Sequence, residues 1–137
     1  MGYRDKPGAA PVLIIAFNGT VYGFEPKTGR QVWQQAIGES TIAVVFDGED
    51  RIYASASSSL ACIDYRTGRV HWSVTTRFTG RAALVVQDGL VFVGRAGEAE
   101  CFTTDGKPLW HEPFTGKGYG AIAIGFPGNF VQGDANS

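Results

Sequence analysis

The sequence predicts an all-β fold: a β-propeller of four-stranded antiparallel blades, about three per chain. Three observations predict it. Trp33, Trp72 and Trp110 recur 39 and 38 residues apart, and a fixed period of this size is the signature of a repeat architecture. The segments leading into them share one order of small residue, apolar residue, polar turn with glycine, and tryptophan: GFEPKTGRQVW (Gly23 to Trp33), CIDYRTGRVHW (Cys62 to Trp72) and the one-residue-shorter CFTTDGKPLW (Cys101 to Trp110). The rest of the period aligns as well, TIAVVFDGEDRIYASASSSLACID in one unit against RAALVVQDGLVFVGRAGEAECFT in the next.

Taken in order, residues 1–11 carry no strand pattern. Arg4 and Lys6 precede the apolar run AAPVLIIAF (Ala9 to Phe17), which resembles a short export signal. The run continues into the first repeat with no small-residue cleavage site after it, so it reads as a strand, and it is too short to span a bilayer as a helix. Residues 12–38 form a partial blade, with VLIIAF, TVYGF and RQVW as its second, third and fourth strands.

Residues 39–79 form a complete blade: an apolar first strand (Thr41 to Phe46), an Asp47-Gly48 hairpin, a second strand (Arg51 to Ala56), a third ending near Asp64 and a fourth carrying Trp72. Residues 80–118 repeat it, with Ala82 to Val86, the Asp88-Gly89 hairpin, Leu90 to Gly94, a third strand ending near Thr103 and a fourth carrying Trp110. Residues 119–133 begin another blade: Gly120 to Phe126 reads as a first strand and Asn129 to Gly133 as a second, with 134–137 as a tail.

The residue types suit these elements. Asp-Gly favours the positive backbone angles of a tight hairpin. First strands apolar on both faces fit between neighbouring blades. The fourth strand alternates, with Val70, Trp72 and Val74 on one face and His71 and Ser73 on the other. Pro108 lacks a ladder N–H, which places its strand at an outer edge. No sustained helical spacing of apolar residues competes with this reading.

The repeats resemble the PQQ-like repeats of bacterial quinoprotein dehydrogenases and of the lipoprotein that assists outer-membrane protein assembly, whose motif reads Ala-x-Asp-x-x-Thr-Gly-x-x-x-Trp. Thr28-Gly29-x-x-x-Trp33 and Thr67-Gly68-x-x-x-Trp72 match its second half, Asp64 matches the acidic position and Glu25 substitutes for it. The third copy has Thr103 at that position and Asp105-Gly106 in a shortened turn. The resemblance covers about Val12 to Val131. It implies that Trp33, Trp72 and Trp110, with Gly29, Gly68 and Gly106, form docks between blades. It also implies that Gly23, Cys62 and Cys101 occupy the motif's small-residue position, giving the two cysteines a packing role. Quinoprotein enzymes of this type have a ring of eight blades in one long chain, adjacent cysteines and calcium ligands. Cys62 and Cys101 are not adjacent, and no cofactor is expected.

A propeller typically has about four to eight blades, and three from one chain would make too tight a ring. The surplus first strand (Gly120 to Phe126) complements the first strand missing from the 12–38 blade. The expectation is a homodimer closing a six-bladed ring by strand exchange, an isologous arrangement. Asn129 to Gly133 would compete with Val12 to Phe17 for the same place, and a partner protein supplying the missing blades is the rival reading.

Composition narrows function. With 44% apolar and 18% charged residues the chain is foldable, and 19 glycines suit many tight turns. A formal net charge of −1 gives no general pull toward nucleic acid or anionic membrane. Two cysteines are too few for a disulfide scaffold and suggest reduced thiols in a cytoplasmic protein.

No metal, nucleophile-elbow or phosphate-loop spacing is present. His71 and His111 read as solvent-facing strand residues. Asp47, Gly48, Glu49 and Asp50 read as a hairpin tip rather than a calcium loop, and Asn18-Gly19-Thr20 as an Asn-Gly turn rather than a glycosylation site. Arg51, Arg77, Arg81 and Arg95 fall near strand ends and are candidates for binding an acidic partner at a ring mouth. The expected function is a non-enzymatic binding or scaffold module. The alternatives are a small-ligand or enzyme-like site in the central channel, against which the apolar innermost strands count, or a fragment of a larger propeller.

Overall fold

A computed structural model describes residues 10–39, 42–77 and 81–131. Most of the irregular 1–11 segment, Thr41, Gly80, the end of the Asn129 to Gly133 stretch and the 134–137 tail lie outside the described residues. The described residues form thirteen strands and no helix.

Strands β1 (Leu13–Phe17), β2 (Thr20–Phe24) and β3 (Gln31–Ala36) make a three-stranded antiparallel sheet. Two four-stranded antiparallel sheets follow. One comprises β4 (Ile42–Phe46), β5 (Arg51–Ala56), β6 (Ser59–Asp64) and β7 (Val70–Thr75); the other comprises β8 (Ala83–Gln87), β9 (Leu90–Arg95), β10 (Glu98–Thr103) and β11 (Pro108–Glu112). A hairpin of β12 (Ile124–Phe126) and β13 (Asn129–Val131) comes last. Each sheet runs in simple chain order, as propeller blades do.

The turns explain this order. Asn18-Gly19, Asp88-Gly89 and Ala96-Gly97 all have positive φ at both central residues, the geometry whose twist matches paired strands. The Asn18-Gly19-Thr20 pattern therefore serves as a hairpin turn. The longer hairpin after β4 is held by Asp47, whose Oδ1 accepts from the backbone N–H of Glu49, Asp50 and Arg51. That acidic tip is capping its own turn.

The turn between third and fourth strands uses the Asp-x-x-Thr-Gly residues in the same way. Asp64 Oδ2 accepts from the N–H groups of Arg66 and Thr67 and from the Thr67 hydroxyl. In the first blade Glu25 accepts from the Thr28 hydroxyl.

Each third and fourth strand pair sets the motif's small residue opposite its tryptophan: Gly23 opposite Trp33, Cys62 opposite Trp72, Cys101 opposite Trp110. A bulge follows immediately in all three sheets. β11 pairs only with β10, so Pro108 does stand on an outer edge.

Blades stack through two apolar clusters. One joins Ile52, Ala54, Ala56, Ala61 and Ile63 of the second blade to Val21 and Trp33 of the first. The other joins Tyr53, Leu60 and Cys62 of the second to Leu84, Val91, Val93 and Phe102 of the third. Alternation along β5 thus sends even-numbered residues toward one neighbour and odd-numbered residues toward the other.

Two strand expectations change. Of Gly120 to Phe126 only Ile124–Phe126 is strand. Gly120 is instead held against the third blade's turn, its carbonyl accepting from Gly97 N–H at 2.7 Å. The first strands also differ in cover: Ala83, Leu84 and Val85 are buried, whereas in β4 Val44 and Phe46 are exposed.

Candidate interaction surface

The repeated contact between blades is a tryptophan laid over the next blade's turn. Trp33 Nε1 donates to the Tyr65 carbonyl at 3.2 Å. Its ring covers Gly68 so closely that a Cβ there would lie 2.4 Å from Cε3. Trp72 Nε1 donates to the Thr104 carbonyl at 2.9 Å, and a Cβ on Gly106 would lie 2.8 Å from its Cδ2. Gly68 and Gly106 also hold positive φ, at 77° and 89°. Glycine satisfies both the close approach and the conformation. The structure thus brings Trp33 against Gly68 and Trp72 against Gly106, across neighbouring blades.

Each dock has a second strut at the start of a second strand. Tyr65 Oη donates to the Val12 carbonyl and accepts from Val12 N–H, both at 2.7 Å. One blade later Arg51 Nη1 donates to the Thr104 carbonyl at 3.3 Å and lies 3.9 Å from Asp105. The Tyr65 strut was missed from sequence. Its signal was the 39-residue offset, which sets Val12 and Arg51 at the same place in successive repeats.

Two halves of this contact are unfilled. Trp110 is 48% exposed, although it keeps the same tilt over Phe92 (6.2 Å between ring centres) that Trp72 keeps over Tyr53 (6.1 Å). At the other end Gly29 has positive φ like its equivalents, but nothing lies within 4 Å of where its Cβ would be. Pro26 to Arg30 are all exposed.

The sheet face beside that open turn is bare too. Leu13, Ile15 and Phe17 are 47%, 44% and 67% exposed, while their equivalents Ile52, Ala54 and Ala56 are at most 1%. Three large apolar side chains on alternate positions of one strand form a contiguous patch of the kind that marks an interface.

The arginines do not converge. Arg51 pairs across from Asp64, at the rim that carries the Thr-Gly turns. Arg77, Arg81 and Arg95 lie at the opposite rim, near the Ser57 and Ala96-Gly97 turns. Arg95 is moreover buried, 3% exposed, and its guanidinium donates to the Ser57 carbonyl and Ser55 Oγ of the second blade. It braces two blades and is not presented at a ring mouth. Burial lowers its pKa to about 10. Arg77 and Arg81 remain exposed; Arg77 N–H donates to Glu100.

Cys62 and Cys101 are free, fully buried thiols behind their tryptophans. Burial raises the Cys62 pKa to about 11 and pushes Cys101 up as well. These are packing residues, not reactive ones.

His71 is exposed, as a solvent-facing strand residue would be, whereas His111 is partly covered. His111 Nε2 contacts Glu98 with both side chains largely covered, and His71 lies 3.7 Å from Asp64 in a surface depression with Thr67, Arg69 and Val70. Asp64 is committed to its turn. Among the described residues no group of three or more His, Cys, Asp or Glu side chains could hold a metal ion. The paired cysteines expected of a quinone site do not fit either, since Cys62 and Cys101 belong to different blades.

The comparisons agree with this geometry. The PQQ_2 family model, described as outer membrane protein assembly factor BamB, matches residues 17–120. The chain belongs to this family. No curated protein sequence matches it significantly. The crystal structure of BamB from Moraxella catarrhalis is similar, at TM-score 0.62 and 21% identity over 84% of this chain and 36% of that one. The computationally designed Ika4 protein is similar at TM-score 0.73 and 16% identity, over 94% of this chain and 82% of that one. Quinohemoprotein alcohol dehydrogenase ADHIIG from Pseudomonas putida HK5 is similar at TM-score 0.55 and 20% identity, over 83% of this chain and 20% of that one. These likenesses show the PQQ-repeat propeller fold. The chain spans about a third of the length of the Moraxella protein.

Proposed function

We propose that this chain is a non-enzymatic binding or scaffold module that completes a six-bladed propeller ring with a second copy of itself. The observation that carries the reading is the bare face of Leu13, Ile15 and Phe17, which repeats in sequence position the buried face of Ile52, Ala54 and Ala56. An apolar face of this kind is stabilised by covering it. The likeness to Ika4, most of whose chain is matched, supports the blade fold from which this reading starts.

Strand exchange supplies the cover. β12 holds β13 by three residue pairs, whereas first and second strands of the full blades share five. Moving β12 of one copy onto β1 of the other sets it beside a five-residue second strand and gives the first blade its fourth strand. β13 yields its place in doing so, which resolves the competition between the two second strands. A non-catalytic role is supported by what the polar side chains do: Asp47, Asp64 and Glu25 hold turns, and Arg51 and Arg95 brace blades. The free, buried thiols suit a reducing compartment.

Removing residues 120–137 tests the reading. The truncated chain is expected to remain folded and to lose self-association measured by light scattering. Retained self-association without β12 would contradict strand exchange.

A further inference from the structure

We infer that Trp110 of one copy docks on the Glu25–Arg30 turn of the other, its indole across Gly29 and its Nε1–H donating to the Pro26 carbonyl. This inference rests on the ring reading above and names the contact that seals each junction.

The dock is made twice within the chain with the same parts. The donor is the fourth-strand tryptophan, and the acceptor is a carbonyl just after the motif's acidic position, at Tyr65 and at Thr104. The platform is the turn glycine. By register Pro26 follows Glu25 as Tyr65 follows Asp64, and Gly29 corresponds to Gly68.

The described residues therefore contain one tryptophan without its turn and one turn without its tryptophan. Both are pre-shaped. Trp110 already leans over Phe92, as Trp72 does over Tyr53. The Glu25–Arg30 turn is already closed by Gly29 N–H donating to Glu25 O at 2.9 Å, the bond that Gly68 makes to Asp64 at the same length. Neither half of the dock has to change shape; only the β12–β13 pairing opens to bring them together.

The second copy is the occupant favoured because its strand follows the same path. β11 and β12 are consecutive, so a copy that lends β12 to the other's first blade brings Trp110 to that same blade. One junction then covers Leu13, Ile15 and Phe17 and fills Gly29 together. Two such junctions close the ring by symmetry.

Two substitutions test it, each on an exposed residue. Trp110→Ala removes the donor. Gly29→Asn adds a Cβ under the indole while keeping a residue that tolerates positive φ. Light scattering of the full chain is the readout, and far-UV circular dichroism checks folding.

Each variant alone loses the dock at both junctions and is expected to self-associate several hundredfold more weakly, about thirtyfold for each hot-spot tryptophan lost. Mixing the two in equal amounts is expected to restore much of the mass. The mixed pair has one junction with native Trp110 and native Gly29, and concentrates both changes in the other. If wild-type chains pair but neither variant weakens pairing, or the mixture recovers nothing, the dock is overturned while the ring reading survives. If wild-type chains do not pair at all, both fall.

Discussion

Trp72 lies across Gly106 of the next blade, so near that a methyl group on that glycine would meet the indole at 2.8 Å, while its Nε1–H reaches the carbonyl of Thr104 at 2.9 Å. Trp33 stands to Gly68 and Tyr65 in the same way. This contact repeats between successive blades, beside the apolar clusters that stack them, and its parts make separate predictions.

Gly68→Ala is the sharpest test of the close approach. The new Cβ would lie 2.4 Å from Trp33 Cε3, on a residue with φ near 77°. Overpacking and left-handed strain each cost about 1–3 kcal/mol. The variant is expected to lose about 2–4 kcal/mol, read from the urea midpoint. Gly29→Ala, with open space above it, is expected to show only the backbone part of that loss in monomeric protein.

Trp33→Ala and Trp110→Ala should differ widely. Trp33 is 8% exposed and Trp110 48%. Truncating a buried tryptophan costs about 3–5 kcal/mol, whereas an exposed position away from such features usually changes stability by about 0.5 kcal/mol or less. Unfolding of dilute, monomeric variants should show that gap. Equal losses would mean that Trp110 is already docked within its own chain.

Tyr65→Phe deletes the hydroxyl that both donates to and accepts from Val12. It leaves two partly buried backbone groups to find water, a cost of about 1–3 kcal/mol. Because Val12 adjoins the exposed β1 face, hydrogen exchange should quicken first in Leu13–Phe17. Uniform change across all three blades would contradict the local strut.

The thiols should be inert in the folded chain. Burial holds the Cys62 pKa at about 11 and raises that of Cys101, so little thiolate is present at neutral or mildly alkaline pH. Labelling with a thiol reagent at pH 8 is expected to be negligible until denaturant is added, when both cysteines react. Prompt labelling of the native chain would contradict their packing role.

The blade architecture was legible because the period is written in large, rare residues. Tryptophan at a constant spacing, a small residue opposite it and glycine in the turn each answer a steric demand that no other residue type meets as well. What remained hidden depends on which side of a strand faces a neighbour. Arg95 looked like one more charge at a strand end, yet its alternation points it into the second blade. Gly120 to Ala123 read as strand because they are small and apolar, but the carbonyl of Gly120 is taken by the Ala96-Gly97 turn. Leu13, Ile15 and Phe17 read only as apolar residues of the first blade's second strand. Only their comparison with Ile52, Ala54 and Ala56 shows that their covering blade is not among the described residues.

The most direct test of the ring is the absolute mass in solution, measured by light scattering over a range of concentrations. The account predicts a stable species at twice 14.7 kDa that neither grows with concentration nor dissociates except on strong dilution. A chain that stays at 14.7 kDa throughout would contradict closure by a second copy and leave the bare blade faces to a different protein or to further blades.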